Sequence, residues 1–598
     1  MTFTPKFNDL VTLYEDSVKK FAGRPLFGTK QGDAWHWMTY GEFGEQVEQA
    51  RGGLAALGVT KGDRVAIISN NRPHWAVAAY ATYGLGASFV PMYEAQKDSE
   101  WRYILNDCGA KICFVADEET RDRVLGFRTE TPKLEHVVVI IGASKEGTPS
   151  LSFDELLAKG KAKPTPTVKS DPKDVAGFIY TSGTTGNPKG VLLSHSNLAN
   201  NVSAMHEIFP MEPEDCSLSF LPWAHSFGQV CELHGMFSMG CSMGIAESVE
   251  KIIPNLAEVR PTLLFSVPRI FNRIYDGVNK KMAEEGGLKQ KLFNATIETA
   301  GEIKRLEEKG ESSGWLNLKH KILDKVVAQK IRDRFGGRLK YAFSGGAALS
   351  KEVAEFIDSL GILVYEGYGL TETSPIATAN YKGARKIGSV GKPIPGVTID
   401  IDKSITGDAE NGEIVIHGHD VMIGYHNLPE EDAKVFTKDR GFRTGDMGRL
   451  DKDGFLYITG RIKEQYKLEN GKYVVPSPLE EHLKLSPYIT NVVVHGDNKP
   501  FNVALVVPDL EMLKKWATEN GIDTGDAKKL VADDKVRKLL EGEVEKYSGE
   551  FKQFEKVKRI AIIDEDFSVQ NDMLTPSLKV KRRVVMSRYG SMIDALYS

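Results

Sequence analysis

The feature that most constrains the fold is an alternation of short apolar runs with longer amphipathic stretches through the first third of the chain. Strands that alternate with helices need crossover connections, and such connections build a mostly parallel sheet. The alternation recurs from about Asp215 to Val364, where strands are predicted at 262–267 and 341–344. The predicted strands and helices of the first third are 64–69, 73–85, 87–91, 98–108 and 111–116.

Three further regions depart from this alternation. The stretch 278–335 is long, charged and helical, which is typical of a solvated helical hairpin. After Asn380, short strands at 412–416 and 454–458 with Gly and Asp turns indicate a small β subdomain. We therefore expect an α/β protein whose large N-terminal domain, 1–459, has two α/β sheet subdomains and this β subdomain, with an α+β C-terminal domain at 460–598.

Composition excludes several classes of protein. The chain has 77 basic and 81 acidic residues and a net charge of −4, which argues against nucleic acid as a partner. No window approaches 18 consecutive apolar residues, so we expect neither a spanning helix nor a secretory signal. The five cysteines contain no C-x-x-C pair, which argues against a zinc site and favours a reducing, cytoplasmic location.

The stretch 178–195 carries the clearest chemical signal. Two apolar runs enclose a loop of hydroxyl residues and glycines that is followed by Lys189. Backbone N–H groups and hydroxyls of such a loop can wrap a polyphosphate, while the lysine ammonium offsets its charge. The loop is not a Walker A motif, because Gly190 and a strand follow the lysine. The candidate phosphate-binding residues are Thr181, Ser182, Gly183, Thr184, Thr185, Gly186 and Lys189.

This loop resembles the signature of the AMP-forming adenylating enzymes, the family of acyl-CoA synthetases, peptide-synthetase adenylation domains and luciferases. Other motifs of that family follow in order across almost the whole chain. The resemblance implies a C-terminal domain that is mobile. The further matching segments are 344–348, 365–373, 443–446, 460–463 and 574–579.

The resemblance implies a nucleotide site around the first two of these segments. Glycines there let a planar base lie against the backbone, and Tyr368 offers a stacking face. Thr371 is expected to bond the α-phosphate, and Glu372 to hold the Mg²⁺ that accompanies ATP. The implied ATP- and AMP-binding residues here are Gly345, Gly346, Ala347, Glu366, Gly367, Tyr368, Gly369 and Thr371.

The later motifs resemble the ribose site and the interdomain hinge. Asp446 would accept both ribose hydroxyls, which suits a carboxylate because it accepts two hydrogen bonds. Arg461 would support the ribose and the phosphate, and Lys463 falls where the family has its hinge. The stretch that includes Gly471 would border the channel for the coenzyme A thiol.

Near the end of the chain, Lys579 takes the place of the catalytic lysine of the family. An attacking carboxylate and an α-phosphate are both anionic, so a positioned ammonium group is needed to stabilise the transition state. The general family pattern has Gly before this lysine, whereas this chain has Leu578. The basic residues 581–583 are expected to form a solvated or nucleotide-facing edge.

His225, in the segment 221–228, matches the family histidine that lies beside the acyl carboxylate, and we include it among the catalytic candidates. Some long-chain enzymes carry a gating Trp four residues later, and Gln229 occupies that position here. Resemblance to the long-chain branch rests on the ending 575–579, the helical stretch 278–335 and the segment 266–274.

The resemblance predicts a long-chain fatty acid CoA ligase. A fatty carboxylate would react with ATP and Mg²⁺ to give acyl-AMP and pyrophosphate, and the acyl group would then pass to coenzyme A. Two alternatives stay open: a ligase that loads a carrier protein, and a non-catalytic nucleotide- or acyl-binding sensor. A weak peripheral membrane contact through a basic or apolar patch also stays open, because fatty acids partition into bilayers.

Overall fold

The computed structural model describes residues 3–181, 187–404, 410–549 and 551–598. Two large sheets of mostly parallel strands form the N-terminal part. The first sheet, in spatial order, contains Gly424–Tyr425, Lys189–Ser194, Val175–Thr181, Ser88–Met92, Arg64–Ile68, Ile112–Asp117, His136–Ile141 and Ser150–Ser152. The second contains Lys392–Pro393, Ile376–Ala379, Leu363–Gly369, Tyr341–Ser344, Leu263–Ser266, Cys216–Ser219, Ser242–Ile245, Pro25–Gln31 and Ala34–Thr39.

Helices pack on both sheets and separate them from solvent and from each other. Several begin where a hydroxyl residue caps the first turn, as Ser194 does for His195–Ile208 through the backbone N–H of Asn197. The helices of this part are Leu10–Phe21, Tyr40–Ala56, Pro73–Tyr83, Asp98–Cys108, Glu118–Gly126, Phe153–Ala162, His195–Ile208, Phe237–Met239, Ile252–Val259 and Lys351–Ser359.

An apolar core between the two sheets fixes the segment that follows Cys216–Ser219. Trp75 of the helix Pro73–Tyr83 meets Trp223 edge to face at 5.7 Å between ring centroids. Both indoles are fully buried. Phe227–Met236 then continues as a π-helix, a rare form that is often found at functional sites. The core therefore holds residues 221–228 rigidly at the boundary between the sheets.

The region predicted as a helical hairpin is helical, but it begins earlier than expected and its outward face is not polar throughout. Its helices are Pro268–Glu285, Gly287–Glu308, Gly314–Leu323 and Gln329–Asp333, and the π-helical turn Asp324–Ala328 joins the last two. Trp315 and Ile322 are exposed on the third helix. This segment therefore differs from a purely solvated surface.

A small antiparallel sheet and the C-terminal part complete the fold. The small sheet contains Val397–Asp402, Gly412–Gly418, Phe442–Leu450 and Leu456–Arg461. The C-terminal strands are Tyr466–Lys467 with Tyr473–Val474, and Ile489–His495 with Asn502–Pro508 and Val557–Ile562. Helices here are Pro429–Val435, Pro476–Leu483, Leu510–Glu519, Ala527–Ala532, Asp534–Tyr547 and Arg582–Asp594. This arrangement confirms the predicted α/β fold class.

Short 3₁₀ turns connect several of these elements, at Arg128–Glu130, Thr371–Thr373, Ile462–Glu464 and Ala595–Tyr597. Among the described helices, none is both long enough and apolar enough to cross a membrane.

The basic run 581–583 is only partly the solvated edge that the sequence suggests. Arg582 donates from Nη2 to both carboxylate oxygens of Glu480 at 2.7 Å, and from Nη1 to the carbonyl of Val494 at 2.9 Å. Lys581 pairs at 2.7 Å with Asp572, whose side chain is 47% exposed, compared with 12% for Glu480. The prediction was wrong for Arg582 because no local pattern shows that a buried carboxylate 102 residues away requires a partner.

We predict that Arg582→Met destabilises the protein far more than Lys581→Met. Removing one partner of a buried pair leaves an uncompensated charge and costs about 3–5 kcal/mol, whereas an exposed pair contributes roughly 0–1 kcal/mol. Urea unfolding followed by circular dichroism measures both free energies. Equal losses in the two adjacent variants would contradict the structural role of the Arg582–Glu480 pair.

Candidate active site

The glycine- and hydroxyl-rich loop lies between two antiparallel strands of the first sheet. Thr181 ends one strand and Lys189 begins the next, and the two residues face each other across the ladder. Residues Ser182, Gly183, Thr184, Thr185 and Gly186 lie outside the described residues. The described flanks make the loop the connection of a β-hairpin, so Lys189 stands at its base.

Lys189 already has an anionic partner. Its ammonium group donates a hydrogen bond to the carboxylate of Glu431, which also accepts from Lys434 at 2.6 Å. These two hydrogen bonds lower the pKa of Glu431 to about 2. Sequence reasoning missed this pair, because 242 residues separate its members and no spacing connects them.

Tyr425 connects Lys189 to Glu372. Its backbone pairs with Val191 beside Lys189, and the Lys189 ammonium lies 5.1 Å from the centre of its ring. The Tyr425 hydroxyl donates to Glu372 Oε1 at 2.8 Å. Sequence reasoning also missed Tyr425, which brings the base of the loop and the predicted metal-binding carboxylate to one place.

The turn Thr371–Thr373 places Thr371 against the segment that carries His225. The Thr371 hydroxyl lies 3.3 Å from the hydroxyl of Ser226. The carbonyl of Glu372 accepts from the backbone N–H of Met422 at 2.9 Å. Backbone and side-chain bonds therefore fix this turn between the two large sheets.

Tyr368, Asp446 and Arg461 form one hydrogen-bonded group. The Tyr368 hydroxyl donates to Asp446 Oδ2 at 2.7 Å, and Arg461 Nε lies 3.1 Å from Oδ1. Burial raises the pKa of Asp446, while the Arg461 charge, the hydrogen bond from Tyr368 and the Lys579 charge oppose that shift. Three motifs that lie far apart in the sequence therefore meet at one carboxylate.

Glycine is required at two positions of the predicted base site for different structural reasons. Gly346 has a φ of +81°, a left-handed conformation that favours glycine. A Cβ on Gly369 would lie 1.6 Å from the Pro375 carbonyl oxygen, so close chain packing requires glycine there. Gly345 is buried, Ala347 is exposed, and Gly367 pairs with Ala379 in the antiparallel ladder.

Glu366 is buried beside this loop. Burial raises the pKa of its carboxyl to about 7, and the backbone N–H groups of Leu349 and Gly388 oppose that shift by stabilising the charged form. These contacts connect Glu366 to the end of the loop 345–349. The carboxyl group therefore supports the loop that would contact a base.

Lys579 lies at the end of a tight loop whose backbone is closed by hydrogen bonds. The Lys579 N–H donates to Thr575 Oγ1 at 3.0 Å, and its carbonyl accepts from the Thr575 N–H at 2.8 Å. Leu578 has a φ of +61°. This is the position where the family pattern has Gly, and its left-handed backbone explains that preference.

Lys579 lies in the same cleft as the Asp446 group. Burial lowers the pKa of its ammonium group, the Arg461 charge lowers it further, and the carboxylates of Asp446, Glu372 and Glu464 oppose the shift. Lys579 nevertheless keeps accessible surface. Lys579 is therefore both exposed and within electrostatic range of these four charged side chains.

His225 lies within electrostatic range of Lys579. Burial and, to a smaller extent, the positive charge of Lys579 together lower its pKa to about 4, so His225 is neutral at pH 7. Its Nδ1 accepts from the backbone N–H of Phe227 at 3.2 Å. Gln229, one turn later, is buried and donates to the Tyr83 hydroxyl at 3.1 Å.

Lys463 and Gly471 both lie in turns. Lys463 is exposed in the turn Ile462–Glu464, which connects the small sheet to the C-terminal strands. Gly471 is exposed in the turn between Tyr466–Lys467 and Tyr473–Val474, with a φ of +84°. Their positions in connections are compatible with the predicted hinge and channel roles.

Glu372 is suited to a magnesium ion that arrives with phosphates. In the described ranges, no group of three or more His, Cys, Asp or Glu side chains is arranged to hold a metal ion. Mg²⁺ usually keeps several waters and is held by one or two carboxylates plus substrate phosphates. The single carboxylate of Glu372, partly exposed, fits that mode of binding.

Taken together, the cleft presents a buried carboxylate, Asp446, close to two cationic side chains, Arg461 and Lys579. A carboxylate suited to Mg²⁺ and a neutral imidazole complete its walls. Fixed cations beside a place for phosphates stabilise the charge that develops when a phosphorus centre is attacked. This arrangement is chemically suited to nucleotidyl transfer.

The sequence matches the AMP-binding enzyme family over residues 14–426 and the C-terminal domain of AMP-binding enzymes over residues 463–598. It is 34% identical to the long-chain-fatty-acid–CoA ligase FadD15 of Mycobacterium tuberculosis over 577 residues, which cover 94% of this chain and 93% of that protein. It is 31% identical to the peroxisomal long chain acyl-CoA synthetase 7 of Arabidopsis thaliana, covering 99% and 87% of the two chains.

Solved structures share the fold. The adenylation domain of a carboxylate reductase from Mycobacterium chelonae superposes with a TM-score of 0.81 at 22% identity, covering 99% of this chain and 92% of that one. The anthranilate CoA ligase AuaEII, solved with anthranoyl-AMP, gives a TM-score of 0.74 at 20% identity and covers 99% of both chains. The chain therefore belongs to the AMP-binding enzyme family.

Proposed function

We propose that this protein is a long-chain fatty acid CoA ligase that works through an acyl-adenylate. The observation that carries the proposal is the meeting of Lys579, Asp446, Arg461 and Glu372 in one cleft. The substrate class is supported by relatives that are 31–34% identical over nearly the whole chain and are named long-chain ligases. ATP, a fatty acid and coenzyme A are the proposed substrates.

In the first half-reaction, a fatty carboxylate oxygen attacks the α-phosphorus of ATP. The bond from this phosphorus to the bridging oxygen of the β-phosphate breaks, and pyrophosphate leaves with that electron pair. Lys579 stabilises the charge at the bridging oxygen, and Thr371 bonds the α-phosphate. Asp446 accepts the ribose hydroxyls, and Arg461 supports the ribose and the phosphate.

Other groups hold the reactants. Glu372 would hold Mg²⁺, which neutralises phosphate charge when it is bound with ATP. Lys189 and the loop 181–186 would cradle the phosphates, which requires Lys189 to exchange Glu431 for a phosphate oxygen. His225 is neutral at pH 7, so it can lie beside the acyl carboxylate as a hydrogen-bonding partner.

In the second half-reaction, the coenzyme A sulfur attacks the acyl carbon, the bond from that carbon to the AMP oxygen breaks, and the thiol proton passes to solvent. Lys579 lies close to Asp446, Arg461 and Glu372, so the C-terminal part, 460–598, is proposed to pivot at Lys463 and withdraw Lys579 before the thiol enters. Gly471 would then border the thiol path.

A substrate series tests the proposal as a whole. Pyrophosphate release is measured with ATP and Mg²⁺ across carboxylic acids of increasing length, with and without coenzyme A, and products are identified by mass. Long acids should release pyrophosphate and consume coenzyme A into thioester. Pyrophosphate release that leaves coenzyme A untouched would instead assign a carrier protein as the acceptor.

We predict that Lys579→Ala nearly abolishes adenylate formation, by a factor of at least about 10²–10³ in rate, and spares thioester formation from supplied acyl-adenylate. The ammonium group is proposed to act only on the phosphoryl step. Single-turnover assays of each half-reaction measure the two rates, and Lys581→Ala is the adjacent control. Equal loss of both half-reactions in Lys579→Ala would argue against this role.

Stiffening the proposed hinge should separate the two half-reactions in the opposite way. Lys463→Pro fixes a backbone angle in the connecting turn, so pyrophosphate release should persist while thioester formation slows. Lys463→Ala, which removes the charge without restricting the backbone, is the matched control and should retain both rates. Unchanged thioester formation in Lys463→Pro would remove Lys463 from the hinge.

Tyr368→Phe should raise the KM for ATP by about tenfold and leave kcat nearly unchanged. The variant keeps the ring but loses the hydrogen bond to Asp446, and a bond to a charged group contributes about 1.5–3 kcal/mol. Tyr457→Phe, which loses a 3.4 Å contact with Asp451 on the same small sheet, is the control. An unchanged KM in Tyr368→Phe would show that Asp446 does not need this partner.

A further inference from the structure

The third helix of the helical insertion has an apolar outward face. The face is formed by Trp315, Leu318 and Ile322 of this helix and by Val326 of the π-helical turn that follows it. Their spacings of three, four and four residues are the period of one helix face. Their exposed fractions are 68%, 59%, 59% and 43%. We call these four residues the outer face.

The opposite side of the same segment is also apolar and is packed inside the protein. Ala328, Ile331 and Phe335 are buried in the core cluster beneath the second sheet, and Leu323 is buried as well. A helix at the surface of a globular protein needs only one apolar side, which faces the core, and its other side is usually polar. The outer face is therefore not required by packing within the chain.

Basic residues are interleaved with the outer face. Lys321, Lys325 and Lys330 are exposed, and the ammonium group of Lys319 lies 5.4 Å from the centre of the Trp315 ring. Within the described ranges, none of these four ammonium groups has a carboxylate within 4.0 Å.

The acidic residues of the segment are occupied elsewhere. Asp324 accepts from Arg332 at 2.6 and 2.8 Å, and Asp333 accepts from Gln329 at 2.7 Å. The surface is thus locally cationic on a chain whose net charge is −4.

We propose that the outer face docks on the surface of an anionic lipid bilayer. Apolar side chains that include Trp enter the boundary between headgroups and acyl chains, and long lysine side chains reach the anionic headgroups. The helix lies on such a surface and does not cross it, in keeping with its length. Charge complementarity selects this occupant over a second copy, because two copies would bring their lysines together.

This docking surface gives the proposed function a source of substrate, since long-chain fatty acids partition into bilayers. Only this supply of substrate rests on the proposed function; binding of the outer face to lipid does not. Binding to lipid is measured without turnover, so failure of the ligase proposal and failure of this one are distinguishable.

The first test is flotation of the full chain with vesicles of phosphatidylcholine alone or with about one third phosphatidylglycerol, at low and high salt. The wild type should bind the anionic vesicles and release them at high salt. A triple variant, Trp315→Gln with Leu318→Gln and Ile322→Gln, should bind at least about tenfold more weakly. Each substitution of Lys321 or Lys325 by Gln should weaken binding about fivefold.

A control separates this face from exposed apolar surface in general. Val249 and Ile253 are 62% and 51% exposed at the start of another helix, and Val249→Gln with Ile253→Gln should leave vesicle binding unchanged. Unchanged turnover of a soluble, medium-chain acid in every variant verifies that the fold is intact. Equal losses in the control and in the outer-face variant would overturn the proposal.

Tryptophan fluorescence tests insertion directly. Trp315 is exposed, Trp75, Trp101 and Trp223 are buried, and Trp35, Trp37 and Trp516 are half-buried. Brominated lipids should therefore quench the wild type much more strongly than Trp315→Phe. Failure of the wild type to bind anionic vesicles at low salt would overturn the proposal. So would a dimer that the outer-face variant converts to monomers, because that result assigns the face to a second copy.

Discussion

The buried carboxylate of Asp446 is the group around which the cleft is organised. Its side chain is only 6% exposed, and a buried charge that lacks partners costs several kcal/mol. The Tyr368 hydroxyl and the Arg461 guanidinium occupy its two oxygens, and the charge of Lys579 acts on it as well. Compensation of this single charge brings together the strand Leu363–Gly369 of the second large sheet, the small sheet and the C-terminal loop.

The same compensation creates the chemistry of the cleft. Arg461 and Lys579 lie close enough for the guanidinium to lower the pKa of the ammonium group, while the carboxylates of Asp446, Glu372 and Glu464 oppose this shift. A phosphate chain adds negative charge where two cations already repel each other. The loop of Lys579 is in turn held by the left-handed backbone at Leu578, and the following helix by the bonds of Arg582 to Glu480.

Sequence reasoning located most elements and most cleft residues. The strand Tyr341–Ser344 and the helix Asp98–Cys108 have the predicted bounds, because apolar periodicity and length are local properties. Sequence reasoning missed Tyr425 and Glu431, and it placed Arg582 at a solvated or nucleotide-facing edge. Each of these residues acts through a partner far away in the chain, and such pairing leaves no periodic signal.

The sequence by itself determined the alternation of strands and helices, the family motifs and the order in which they occur, since these depend on residue type and local spacing. Only the tertiary structure decided which side chains share the cleft, which cation meets which carboxylate, and that Glu366 supports a loop. It also decided that the apolar side formed by Trp315, Leu318 and Ile322 faces outward. Periodicity reveals that a helix has an apolar side, but packing of the whole chain decides whether that side is covered.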